Sequence, residues 1–131
     1  MIVAVDASAL VAIALGEPEA GAFASYLETA AEAYITPINV TETGLALVLR
    51  NGYFEPDQFA GWISAQRVIE RDVEGGLALD AYLRFGRGVH RAALNLGDCF
   101  AYALAKQLDA PLLFKGRDFI FTDVRRAFQP T

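Results

Sequence analysis

The stretch MIVAVDASALVAIALG, residues 1–16, decides the fold class. Ile2-Val3-Ala4-Val5 is a short apolar, partly β-branched run that stops at Asp6, and small and aliphatic residues follow in a helical pattern to Leu15. A short strand apolar on both faces belongs to a buried parallel sheet, and the acid after it marks the turn into a helix. Working outward, Gly16-Glu17-Pro18-Glu19 breaks that helix and starts another, with Pro18 in its first turn and Phe23, Tyr26 and Leu27 at helical spacing. Ala33 to Thr36 predicts a second strand, ended by Pro37. Asn39 begins the next helix, with Val40, Leu45, Val48 and Leu49 as its apolar face and Asn51-Gly52 as a left-handed stop. Helical segments are expected over roughly 56–70 and 77–88. Gly97-Asp98 opens another helix running through Leu108, and Pro111 to Phe114 predicts a third strand. Strand and helix alternate without repeats or a long linker, which predicts one α/β domain over residues 1–131: a short, mainly parallel sheet flanked by helices in three layers.

Composition supports a folded chain. Of 131 residues, 54% are hydrophobic and 21% charged, too apolar and too mixed for a disordered or collagen-like chain. Mean hydropathy is +0.30, yet the apolar opening is interrupted by Asp6 and Ser8, whereas a membrane span needs about 20 nearly unbroken apolar residues. That opening also lacks the basic start of a secretory signal, so the expectation is a soluble, cytoplasmic protein with no membrane association. The single cysteine, Cys99, cannot form an internal disulfide, and one histidine, His90, leaves too few soft ligands for structural zinc. Any metal would be held by oxygen. The net charge of -5 divides unevenly, with residues 1–83 at -9 and residues 84–131 at +4. A cationic second half suits a polyanion, or is simply a solvated surface.

Ligands of open parallel sheets bind beyond the carboxyl ends of the strands. Asp6 ends the first strand there, Glu42 lies in the first turn of the helix after the second, Asp98 starts the helix leading to the third, and Asp118 follows it. Singly, each acid has an ordinary structural role. Asp6 and Asp98 suit helix N-caps, Asn39 and Glu42 have capping-box spacing, and Asp118 suits a turn beside Arg117. Together they differ from caps, because Ser, Thr and Asn would cap equally well. Carboxylates converging on one rim repel one another unless a hard cation neutralises them.

Three blocks carry a family resemblance: MIVAVDASALVAIALGEPEA, ITPINVTETGLALVLRNG and FGRGVHRAALNLGDCFAYALAKQLDAPLLFKGRDFIFTDV. They resemble PIN-domain ribonucleases of the VapC toxin type over nearly the whole chain. The resemblance implies a PIN-like fold and a metal-dependent endoribonuclease, with Asp6, Glu42, Asp98 and Asp118 as the acids that bind Mg²⁺ or Mn²⁺. Ser8 is the implied polar helper beside Asp6. The family's last motif often reads KGDDF, whereas this chain has KGRDF, so Arg117 replaces the first acid. Asp118 then serves as the fourth acid, alone or shared with Asp123. The resemblance further implies water attack leaving 5′-phosphate and 3′-hydroxyl ends, an RNA substrate, a cognate VapB-type antitoxin and a homodimer.

Basic residues near these acids are candidate RNA contacts: Arg84, Arg87 and Arg91 around His90, and Lys115 and Arg117 beside Asp118. The same segment also reads as a solvated helix end. Gly86-Arg87-Gly88 is no dinucleotide fingerprint, since a helical pattern precedes it and the third glycine is missing. Cys99 reads as a small buried residue, and Phe54, Phe59 and Trp62 as core or interface. Helices 18–33 and 39–70, with Phe23, Leu27, Leu45, Leu49, Phe54 and Trp62, are expected to offer a groove to an amphipathic antitoxin segment. Two other functions stand beside the nuclease. One is a catalytically idle RNA- or protein-binding module of the same fold. The other is phosphoryl transfer by an aspartyl nucleophile at Asp6, against which Asp6-Ala7-Ser8 lacks the second acid such enzymes carry.

Overall fold

The computed structural model of the protein describes residues 1–128. Its centre is a parallel sheet of four strands: β1 (Ile2–Val5), β2 (Glu32–Ile35), β3 (Ile69–Glu70) and β4 (Leu112–Leu113), in the order β3-β2-β1-β4. Val3 lies opposite Ala33, Ala4 opposite Leu112, and Tyr34 opposite Ile69. Six α-helices join them: α1 (Ala7–Leu15), α2 (Ala20–Thr29), α3 (Pro37–Gly44), α4 (Pro56–Ala65), α5 (Gly75–Phe85) and α6 (Leu96–Leu108). A π-helical segment, Leu45–Arg50, continues α3, and a 3₁₀ turn, Asp118–Phe121, follows β4.

The period-two alternation of β1 builds the three layers. Val3 and Val5 face one side, where Leu10, Phe23, Leu27 and Ile35 complete a buried core under α1 and α2. Ala4 faces the other side, where Ala81, Phe85, Leu104 and Leu112 form a second core under α5 and α6. No helix among the described residues is long and apolar enough to cross a membrane.

Several elements differ from expectation. The segment 56–70 is not one helix: α4 stops at Ala65, and Ile69-Glu70 pairs with β2 as a fourth strand. Two exposed residues carry no periodicity to reveal a strand, so only pairing defines it. Helix α2 spans Ala20–Thr29, and α5 ends at Phe85 because Gly86 turns extended. Helix α3 is capped by Thr36, whose hydroxyl accepts the Asn39 amide at 3.2 Å, so it begins at Pro37 and the expected Asn39–Glu42 capping box does not form. Phe23 and Leu27 are only 1% and 5% exposed and fill the core, which removes them from any docking groove.

Candidate active site

The chain leaves β1 toward β2 and β3 on one side and returns to β4 on the other, so the strand order reverses beside β1. A crevice at the carboxyl ends of the strands is the geometric consequence. Asp6, Glu42 and Asp98 all line the resulting cleft of about 500 Å³, together with Ser8, Arg50 and Lys115.

Asp6 caps α1, and its Oδ2 accepts both the Ser8 amide (3.1 Å) and the Ser8 hydroxyl (2.6 Å). Ser8 Oγ in turn accepts the Lys115 backbone amide at 3.0 Å, tying the end of β4 to the end of β1. Asp98 is not the N-cap of its helix. Asn95 is, and the two form a capping box in which Asn95 Oδ1 accepts the Asp98 amide (2.8 Å) and Asp98 Oδ2 accepts the Asn95 amide (3.0 Å). That box holds Asp98 at the start of α6.

Glu42 is placed by a residue whose role the linear pattern concealed. Asn39 is fully buried, and its Nδ2 donates to Glu42 Oε1 (2.7 Å) and to the Gly97 carbonyl (3.1 Å), while its Oδ1 accepts the Thr36 hydroxyl (2.5 Å). One amide thus docks the acid of α3 onto the first turn of α6. Gly97 makes the approach possible, because a Cβ there would overlap the Glu42 carboxylate. Capping-box spacing was the only sequence signal for Asn39, and it pointed to a different bond.

The acids act on one another. Burial pushes the Asp6 carboxyl up to about 6, with the Glu42 charge adding to it against the Ser8 hydrogen bonds. Burial, then the charges of Asp6 and Asp118, pushes Asp98 up to about 7. Glu42 is raised by burial first and by Asp98, opposed by the Asn39 hydrogen bond and the Arg50 charge. Asp118 is exposed at the start of the 3₁₀ turn and does not line the cleft with the other three acids, although its charge acts on Asp98.

Asp123 is placed elsewhere. It accepts the Tyr102 hydroxyl and pairs with Lys106 at 3.2 Å and Arg84 at 3.8 Å, which lowers its own pKa. Arg84 is therefore occupied, and Arg91 stacks 4.7 Å from the Phe121 ring. Arg87 is exposed and its charge acts on Asp98. Lys115 pairs with Glu17 (3.3 Å) and Glu19 (3.5 Å), and Arg117 is exposed beside Asp118. His90 Nδ1 accepts the Ala92 amide at 3.1 Å and its ring meets Phe85 edge-on, a structural role. Cys99 is buried, and burial with the Asp98 charge pushes its thiol up to about 11. The Phe54 and Trp62 rings meet in a tilted contact, with centroids 5.7 Å apart.

Among the described residues no three of these acids form a preassembled ion cage. The donor set nonetheless fits a divalent cation: hard oxygens, partly buried, with charges that only protons or a cation can neutralise.

Comparison with known proteins gives one family. The PIN domain matches residues 3–126. Ribonuclease VapC30 of Mycobacterium tuberculosis is 37% identical over 130 residues, covering 96% of this chain and 98% of that protein. Ribonuclease VapC of Mycolicibacterium smegmatis is 39% identical over 126 residues, covering 92% and 95%. Among solved structures, M. tuberculosis VapC20, described as a toxin that cleaves the sarcin–ricin loop, superposes with a TM-score of 0.77 at 18% identity, covering 98% of this chain and 99% of that one.

Proposed function

This chain belongs to the PIN-domain family, and from that premise we propose that it is a VapC-type endoribonuclease, the toxin of a toxin–antitoxin pair. The observation that carries this reading is the gathering of Asp6, Glu42 and Asp98 from the end of β1, α3 and α6 into one cleft, where burial first and their mutual charges second raise their pKa values. A phosphodiester is anionic and would be repelled by such a cleft without a cation.

Asp6, Glu42 and Asp98 would hold Mg²⁺ or Mn²⁺, with Asp118 as the fourth acid and Ser8 orienting Asp6. When bound, the ion stabilises charge on phosphate oxygens and makes water a better nucleophile near neutral pH. The acids orient the attacking water, whose oxygen bonds to phosphorus as the P–O3′ bond breaks. The attacking water gives up a proton to solvent and the departing 3′ oxygen takes one from solvent, which leaves 3′-hydroxyl and 5′-phosphate ends. Arg87 and Arg117, both exposed, are the proposed contacts to RNA backbone, and Lys115 would join them by leaving Glu17 and Glu19. His90 is not required as a base.

A single domain over residues 1–131, a cytoplasmic site of action and a homodimer complete the reading. A VapB-type antitoxin is the proposed partner. Exposed Leu45 and Leu49, on the segment that ends at Arg50, offer it apolar contact. An arginine from that partner would pair with the acids in place of the cation.

The test is cleavage of total RNA by the purified chain with Mg²⁺, with Mn²⁺ and with EDTA, followed by end mapping. Metal-dependent cleavage with 5′-phosphate ends is expected. A folded chain that binds RNA but cleaves none in either metal overturns the reading in favour of an idle binding module.

A further inference from the structure

Arg50 ends the π-helical segment and lines the acid cleft together with Asn51. The wider turn explains its position. In a regular α-helix, at about 100° per residue, Arg50 would stand roughly 80° around the axis from Glu42. From Leu45 onward the bonding changes to i→i+5, as in the Asn51 amide bonded to the Ala46 carbonyl at 3.0 Å. At roughly 85° per residue over this stretch, Arg50 returns to within about 20° of Glu42. The Asn51 side chain donates to the same Ala46 carbonyl at 2.7 Å, which fastens the end of the segment. π-Helical turns are uncommon and recur at functional sites.

Pairing distinguishes Arg50 from Lys115, the other cation that lines the cleft. Lys115 is held by Glu17 and Glu19, whereas Arg50 is exposed and forms no ion pair with any described residue. It nonetheless lies close enough for its charge to act on Glu42. A strand of RNA carries a phosphate on every nucleotide, so a phosphate at the acids has neighbours on either side of it. A guanidinium fork matches the nonbridging oxygens of such a neighbour and offsets the repulsion of the anionic cleft.

We propose that Arg50 is a substrate-binding residue that grips an uncleaved RNA phosphate on the Glu42 side of the cleft. This rests on the ribonuclease reading above.

The test compares the full chain with Arg50→Met and Arg50→Lys. On an Asp98→Asn background, binding of a short single-stranded RNA is followed against salt. Arg50→Met should weaken binding about tenfold and reduce the slope of log affinity against log salt by about 0.7, the share of one phosphate contact on a single strand. Arg50→Lys should restore the slope. In the otherwise unaltered chain with Mg²⁺, Arg50→Met should raise KM about tenfold while kcat changes by less than about threefold. Arg50 is exposed, so melting temperatures should match the parent's. An unchanged slope overturns the inference, and so does loss of kcat at constant KM, which would assign Arg50 to Glu42 instead. The slope is read without turnover, so it decides the role of Arg50 even if the chain cleaves no RNA, an outcome that would refute the ribonuclease reading alone.

Discussion

The carboxylate of Glu42 occupies the space that a Cβ on Gly97 would need. Helix α6 can therefore begin beneath Glu42 only with glycine in the position before Asp98. Gly97→Ala should leave the fold standing, because what must yield is the tip of a side chain rather than backbone. Glu42 would be expelled from its bond with Asn39. Cleavage should fall at least about tenfold, while stability changes by no more than about 1 kcal/mol, since alanine suits a helix better than glycine. Single-turnover rates and chemical denaturation measure the two effects. A large loss of stability would show that α6 itself had moved.

Asp98→Asn separates function from stability. Asparagine keeps an acceptor for the Asn95 amide and removes a charge that burial and two neighbouring acids disfavour. Cleavage should collapse by about a hundredfold or more, and the metal-free protein should be more stable near neutral pH by about 1–3 kcal/mol. Asp6→Asn should act in the same direction. Undiminished cleavage by Asp98→Asn would remove this residue from the site.

Metal-free stability should depend on pH in a defined direction. Asp6 and Asp98 have folded pKa values of about 6 and about 7, both above the ordinary 3.8. Their contribution is therefore complete below the unfolded value and is lost as pH rises through 6 and 7. Without metal, the melting temperature of the wild type should fall relative to Asp98→Asn between about pH 5 and 7.5. Saturating Mg²⁺ should raise the wild-type value at the upper end of that range and do little at the lower end, where protons compete for the acids. Parallel curves for the two proteins would contradict the raised pKa of Asp98.

Asp118 and Asp123 should respond differently. Asp118 acts on Asp98, so Asp118→Asn should reduce cleavage about tenfold and weaken Mn²⁺ binding. Asp123 is bonded to Tyr102, Lys106 and Arg84, so Asp123→Asn should cost at most about 1 kcal/mol of stability and leave cleavage unchanged. A folded Asp123→Asn chain that no longer cleaves, or a loss seen only when both acids are changed, would give Asp123 a share of the site.

Much of this arrangement is legible along the chain, for local reasons. The run Ile2–Val5 is apolar on both faces, so it can only be a buried strand, and Asp6 must then stand at its carboxyl end. The same logic places Asp98 in the first turn of its helix, whereas Glu42, expected in a first turn, is the sixth residue of α3 because that helix begins at Pro37; the short motifs around both carry the family resemblance. Strand β3 and the stop of α4 at Ala65 are not legible, because two exposed residues acquire strand geometry only by bonding to β2.

Which groups touch was a tertiary decision. Asn39 and Glu42 have capping-box spacing, yet Thr36 takes the cap, and Asn39 is left to bond across to Gly97, 58 residues away. Asp118 and Asp123 are five residues apart and equally acidic, but packing of the C-terminal segment on α6 delivers Asp123 to Tyr102 and Lys106. Arg50 reaches the cleft because the helix widens at Leu45, which no helical periodicity announces. The amino-acid sequence by itself determined the buried first strand, the acid Asp6 at its end and the family, since each depends on a residue and its near neighbours. Only the tertiary structure decided which acids share one cleft and which cations stay unpaired beside it, because those contacts join residues whose separation in the chain says nothing about their distance in space.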